Sequence, residues 1–449
     1  MNQQLGRRLS VALFGAAVGM TALMSSTAFA DVTRLVVSST MPLGPFDGRE
    51  YRYIQGTLLG TAPGGAYAVP IEMMFPTAAE DFNGFAVVDA VGMGQIGLTE
   101  AQWPPEGGRP HPTWPYFGDT FLFENGNLVV SVMWDKARLE TLGIGMIGAA
   151  GDAYEILRDA AELARNPDFL HLRAERTPPA ADHVIVTGYS NSAVFARAWF
   201  SFGLNQAEGS PVFDGALLLA ARQTTCVNVA TNENAPCDPA RTDGAKIISV
   251  LTETDLETRG PGLRAEVPDY RQIELAGTAH IPTVLVNWLQ FGAPEQNPVD
   301  TTPVFRAALA NLEAWIADGT EPPANAYIDV PTAPTRLIGT ADFWDVARDA
   351  DGNVLGGVRL PHMANGSGVG APLGEYHGYN EVTQLGGGFP ITGTFTPFSA
   401  DEIRRRYPTR DAYVAAVRAA ADRLVEDRYI LQADAEAYIA AAEAAPYWN

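Results

Sequence analysis

An α/β fold built on a mostly parallel sheet is what the sequence predicts, on three observations. Apolar, often β-branched runs recur at residues 85–91, 128–134, 184–187, 216–220 and 247–251. Helical stretches at 149–165 and 192–204 alternate with them, and strand, helix and strand in that rhythm imply parallel pairing through right-handed crossovers. Finally, Val184-Ile185-Val186-Thr187-Gly188-Tyr189-Ser190-Asn191-Ser192 passes straight from a strand through a sharp turn into a helix, with a serine at the apex. That geometry lifts a hydroxyl out of the backbone at the positive end of a helix.

Taken in order, the chain opens with a segment that is not part of the fold. Arg7 and Arg8 form a basic start, 11–24 is an uncharged apolar stretch, and Ala28-Phe29-Ala30 is a small-residue cleavage signal. The apolar run is shorter than the about 20 residues a membrane span needs, so residues 1–30 read as a secretory signal peptide, with general secretion favoured over twin-arginine export. A secreted or periplasmic mature chain of 419 residues is expected, a single domain over 31–449. Its core covers about 31–320, a Gly- and Pro-rich wrap covers 323–396, and a helical tail covers 400–445.

Within the core, 34–38 and 51–59 read as strands. The nearly continuous apolar run at 85–91 reads as a strand buried on both faces. A Pro- and aromatic-rich stretch at 103–117 reads as an ordered surface loop, 116–123 as a short helix and 304–317 as a helix. The tail divides into helices near 401–406, 409–427 and 433–445.

The formal net charge is −22, or −24 once Arg7 and Arg8 are removed. An acidic surface repels phosphate backbones and anionic lipids, so neither nucleic acid nor, after signal cleavage, a membrane is an expected partner. The two cysteines, Cys226 and Cys237, lie close in sequence. In an exported chain they most simply form one disulfide that closes a small polar loop. No cluster of His, Asp and Glu stands beside them, so no metal is expected.

A serine hydroxyl is a weak nucleophile until an imidazole takes its proton. The imidazole needs an acid to hold its tautomer and stabilise the imidazolium. In an α/β-hydrolase these residues follow one another as Ser, then Asp or Glu, then His, each after a strand. Here the strand at 247–251 runs into Thr252-Glu253-Thr254-Asp255, and the strand near 271–275 runs through Ala276-Gly277-Thr278-Ala279 to His280. His111, His171 and His183 precede Ser190, and His362 and His377 fall in the wrap. His280 alone follows both Ser190 and an acid directly beyond a strand. Asp255 is the favoured acid, because its short side chain sits where the loop has cleared the sheet; Glu253 is the alternative. The oxyanion donors expected are the backbone N–H of Asn191 and one from Gly92 or Met93, after the 85–91 strand.

These residues resemble a group of bacterial secreted proteins known as alpha/beta hydrolase domain proteins, over most of the mature chain. The resemblance rests on Gly188-Tyr189-Ser190-Asn191-Ser192, on Leu251 through Asp255, and on Tyr270-Arg271 with Glu274 through His280. Gly356-Gly357-Val358-Arg359-Leu360-Pro361 and Tyr407 through Tyr413 add to it. It implies an α/β-hydrolase fold and a serine-hydrolase triad with Ser190 as nucleophile, His280 as base and an acid from Glu253 or Asp255. The chain departs from the family pattern at Ser192, where Gly is frequent. It departs again at Asp89-Ala90-Val91-Gly92, where a Glu-Trp-Leu-Asn run is usual.

The expectation is therefore a secreted serine hydrolase, carboxylesterase-like, that cleaves a small-molecule ester through an acyl-enzyme without a cofactor. The alternative is a catalytically inactive hydrolase-fold protein that binds or scaffolds. Pocket walls are expected from 103–117, from the loop between Cys226 and Cys237, and from 360–380.

Overall fold

Three long strands lead into the structure: β1 (Asp31–Phe46), β2 (Arg49–Ala62) and β3 (Gly65–Pro76). The computed structural model describes residues 31–91, 116–118, 120–134, 152–167, 177–207, 210–221, 225–228, 233–238, 241–262, 264, 266–282, 296–363, 370–381 and 390–448. The three strands form an antiparallel meander, with Ala62 opposite Gly65 across a two-residue turn. β3 is not legible in the sequence, since Pro70 removes a backbone donor and Glu72 interrupts its apolar pattern.

After the meander come β4 (Phe85–Val91), α1 (Phe121–Glu124), β5 (Leu128–Met133), α2 (Ala153–Arg165), β6 (His183–Tyr189) and α3 (Asn191–Ser201). The helix expected over 116–123 is thus only its last residues. β7 (Gly215–Leu219), β8 (Lys246–Thr252), α4 (Glu253–Arg259), β9 (Tyr270–Leu275) and α5 (Thr302–Asp318) complete the body. The nine strands make one sheet in the order β1-β2-β3-β5-β4-β6-β7-β8-β9. From β5 to β9 every pairing is parallel, and from β1 to β5 every pairing is antiparallel. The parallel half buries both faces, which is why its strands read as continuous apolar runs.

Strand period two divides the core into two layers. Val184 and Val186 of β6 join Tyr154, Leu157, Phe195 and Trp199 of α2 and α3 on one face. Ile185 and Tyr189 join Val304, Phe305, Leu309 and Trp315 of α5 on the other.

The segment after α5 crosses the outside of β9 through bridges from Ala326 to Ile273 and from Val358 to Leu275. The tail helices are α6 (Ala400–Arg406), α7 (Arg410–Glu426) and α8 (Gln432–Glu443). Ser399 and Thr409 cap α6 and α7, each accepting from a backbone N–H in the first turn. Ala421, Leu424 and Ala435 pack into the same layer as α5, so the tail is a working part of that core.

Candidate active site

Ser190 follows the last residue of β6, in the parallel half of the sheet. Its backbone has φ 54° and ψ −118°, a left-handed conformation rare for a residue with a side chain. Strain of this kind costs roughly 1–3 kcal/mol and persists only where the surroundings impose it. Here Ser190 N–H donates to Leu219 O on β7 at 2.9 Å, and Ser190 O accepts from Val194 N in α3 at 3.0 Å. Gly188 lets the helix close on the strand, because a Cβ there would lie 2.7 Å from the carbonyl carbon of Ser192. Ser192 is buried at 1 % exposure, so this packing accommodates it in place of a glycine. Asn191 is the first residue of α3, where backbone N–H groups have no intrahelical acceptor. Gly92 and Met93, the other expected oxyanion donors, lie outside the described residues.

The strand registers carry β8 and β9 to the same edge of the sheet, the carboxyl end where ligands bind in open α/β folds. His280 Nε2 lies 3.0 Å from Ser190 Oγ, and His280 Nδ1 lies 2.8 Å from Asp255 Oδ1. Three residues separated by up to 90 positions in the chain therefore form one hydrogen-bonded line.

Asp255 is not on a loop, as the sequence reading had it. It is the third residue of α4 and closes a capping box with Thr252. Its Oδ2 accepts from Thr252 N–H at 2.9 Å and from the Thr252 hydroxyl at 2.8 Å, which leaves Oδ1 for His280. Burial on its own raises the Asp255 carboxyl, but His280 together with the Thr252 donors outweighs it and holds the group below its ordinary value. Thr252-x-x-Asp255 is a capping-box signature present in the sequence. That signal marks Asp255 as the third residue of a helix start and leaves the partner of its other oxygen unspecified.

Glu253 is fully buried and faces other partners. Its Oε2 accepts from Gly277 N–H at 2.7 Å, in the loop that carries His280, and its Oε1 accepts from Gly378 N–H at 3.1 Å. Arg348 approaches Glu253 Oε1 at 2.6 Å and Glu257 Oε1 at 3.0 Å. Burial first, and then the neighbouring Glu253, pushes the Glu257 carboxyl well above its ordinary value. Arg348 and Gly378 both belong to the Gly- and Pro-rich wrap; Gly378 falls in the 360–380 stretch expected near the pocket, while Arg348 had no signal in the sequence. Asn297 adds a further tie, donating to Gly277 O at 2.8 Å and to His377 O at 2.9 Å.

The remaining expectations fall as follows. The His183 ring lies 4.9 Å from that of Phe85, tilted by 31°, and His362 contacts Tyr376 and Tyr438, where burial pulls its pKa down to about 4. His377 lies 3.6 Å from Glu375. His111 and His171 lie outside the described residues.

Cys226 and Cys237 form a disulfide. It packs against Ala198 and Phe202. Ala198 lies eight residues along from Ser190, or about 12 Å at the helical rise, so the disulfide itself supports the far half of α3; residues 229–232 of the loop it closes lie outside the described residues. Residues 103–115 and 364–369, also expected as pocket walls, lie outside the described residues. Among the described residues no group of three or more His, Cys, Asp and Glu is arranged to hold a metal ion, and no helix is long and apolar enough to cross a membrane.

A family model described as an alpha/beta hydrolase domain matches residues 66–440. No curated protein matches the sequence. Among solved structures, the rice cell wall degrading esterase LipA from Xanthomonas oryzae aligns at 13% identity and a TM-score of 0.27, over 41% of this chain and 50% of that one. Brefeldin A esterase, a bacterial homologue of human hormone sensitive lipase, aligns at 14% identity and a TM-score of 0.30, over 51% of this chain and 70% of that one. The chain thus spans half the length of LipA.

Proposed function

The chain belongs to the alpha/beta hydrolase domain family, and from that premise we propose that it is a serine hydrolase that cleaves a small-molecule carboxylic ester. The observation that carries this reading is the line from Ser190 Oγ to His280 Nε2 at 3.0 Å and from His280 Nδ1 to Asp255 Oδ1 at 2.8 Å.

In this reading His280 Nε2 takes the Ser190 proton as Oγ attacks the ester carbonyl. Asp255 holds the ring with Nδ1 protonated and stabilises the imidazolium. The Asn191 N–H, at the positive end of α3, receives the developing oxyanion, with a second donor assigned to Gly92. His280 returns the proton to the leaving alcohol, and an acyl-enzyme remains on Ser190. Water then attacks that ester with His280 as base, releases the carboxylic acid and restores Ser190. Every step uses this chain's own groups, and no cofactor enters.

We assign this activity to the exported chain after cleavage behind Ala30, as a single domain over 31–449. N-terminal sequencing of the exported protein checks the cleavage, which should leave Asp31 first. The alternative, an inactive binding or scaffold protein, draws on Ser192 in place of glycine and on the altered stretch Asp89-Ala90-Val91-Gly92, whose Gly92 lies outside the described residues. The buried Ser192 behind Gly188 lends it no support.

A fluorophosphonate probe tests the function directly. It should label the wild type at Ser190, and Ser190→Ala should abolish both labelling and p-nitrophenyl ester hydrolysis. A wild type that takes no label overturns the proposal.

A further inference from the structure

His280 lies beyond the end of its strand, since β9 stops at Leu275. No sheet ladder therefore fixes the peptide that carries the imidazole. Two side chains from other elements hold the His280 backbone groups instead, and the following Ile281 N–H donates to Ile391 O at 2.9 Å. His280 N–H donates to Thr254 Oγ1 in α4 at 3.0 Å, and His280 O accepts a hydrogen bond from the Tyr189 hydroxyl. Tyr189 is the residue immediately before Ser190, at the end of β6.

The Tyr189 ring is itself fixed. It stacks on Tyr116 with centroids 4.4 Å apart and planes 7° apart, and it meets the edge of Phe305 at 6.3 Å. Its 7 % exposure means that the hydroxyl needs a protein partner, and the His280 carbonyl is that partner. Burial, then the nearby Asp255 and Tyr116, raises the phenol well above its ordinary value, so it remains a donor throughout the working range.

We propose that Tyr189 is a positioning residue that ties the base to the nucleophile turn: its hydroxyl pins the His280 carbonyl, so that Ser190 and the imidazole move as one unit. This rests on the reading of Ser190 and His280 as nucleophile and base. A displacement of about 1 Å in such a pair costs on the order of 10²-fold in rate. With the Thr254 and Ile391 ties still in place, loss of the Tyr189 tie is a smaller perturbation, and a fall of roughly tenfold is expected.

Tyr189→Phe removes the hydroxyl and keeps the ring. It should fold, as near-ultraviolet circular dichroism would show, while its fluorophosphonate labelling rate and kcat fall roughly tenfold and KM stays unchanged. The low-field proton on His280 Nδ1, read by one-dimensional proton NMR, should broaden or vanish at a pH where the wild type retains it. A purely structural role would lower the melting temperature and leave the labelling rate of the folded protein and this resonance unmoved; that result overturns the proposal.

Should Tyr189→Phe fail to fold, Tyr116→Leu loosens the stack and keeps the hydroxyl. Both readouts should then move in the same direction by less, and no movement in either overturns the proposal. A wild type that shows the low-field proton but takes no label sinks the hydrolase reading alone, and the NMR comparison then judges Tyr189. A wild type with neither signal overturns both.

Discussion

Glu253 and Asp255 stand two positions apart in the first turn of α4 and serve different partners. Asp255 Oδ1 meets His280 Nδ1 at 2.8 Å, while Glu253 Oε2 accepts from Gly277 N–H at 2.7 Å. One helix start therefore both orients the imidazole and anchors the loop that presents it. The two carboxylates are expected to behave differently when changed.

Asp255→Asn should keep the fold and reduce kcat by about 10⁴-fold, because the amide presents a donor where the imidazole needs an acceptor and selects the wrong tautomer. Glu253→Gln should retain more than about a tenth of the wild-type kcat, since its side chain does not face the ring. Steady-state ester hydrolysis of both variants decides the matter. If Glu253→Gln is the dead enzyme and Asp255→Asn the active one, the acid is misassigned.

Arg348→Met tests the buried ion pair. The Arg348 side chain is 22 % exposed and that of Glu253 fully buried, so removal of the cation strands a carboxylate in the interior. The cost should be roughly 3–5 kcal/mol, read by urea denaturation. Activity should fall with it as Glu253, which holds the Gly277 and Gly378 loops, loses its counter-ion. A stability change below about 1 kcal/mol would show that the pair behaves like an exposed one.

Gly188→Ala tests the turn. The added methyl would meet Ser192 C at 2.7 Å and Ala193 N at 2.8 Å, both backbone atoms that no rotamer change can move aside. A penalty of roughly 1–3 kcal/mol is expected, together with slowed labelling of Ser190 as α3 shifts away from β6. Wild-type stability and labelling in this variant would refute the close approach.

Stability should also depend on pH through Glu72. This β3 carboxyl is 7 % exposed, and among the described residues its Oε2 has no hydrogen-bond partner. Burial, partly offset by a hydrogen bond from Tyr53, raises its pKa from 4.5 to about 7. Between those values the folded chain holds a proton that the unfolded chain has released. Stability therefore falls as pH rises through this window and levels off above it. At about 1.4 kcal/mol per pH unit the effect is on the order of 3 kcal/mol. Urea titrations at stepped pH should show this slope in the wild type and its loss in Glu72→Gln. Identical slopes in the two proteins would mean that Glu72 titrates as an ordinary carboxyl.

Much of this molecule is local and can be read along the chain. The apolar runs at 85–91, 128–134, 184–187, 216–220 and 247–251 correspond to β4 to β8, because a strand covered on both faces must be apolar at nearly every position. The order of Ser190, Asp255 and His280 is equally a property of the sequence, as is the Thr252-x-x-Asp255 cap. The antiparallel β3 was hidden, since a strand that contains Pro70 and a buried Glu72 does not follow the simple pattern.

What folding alone decided is which groups meet. The sequence leaves Glu253 and Asp255 as neighbours of the same type. Their separation into a hub for Arg348 and a partner for His280 depends on the direction each side chain takes from α4. Arg348 and Gly378 arrive from a wrap without periodicity, and Tyr189 reaches the His280 carbonyl across 91 positions. Such contacts depend on distances of about 3 Å between atoms far apart in sequence. Periodicity records which face a residue occupies and leaves its partner unspecified.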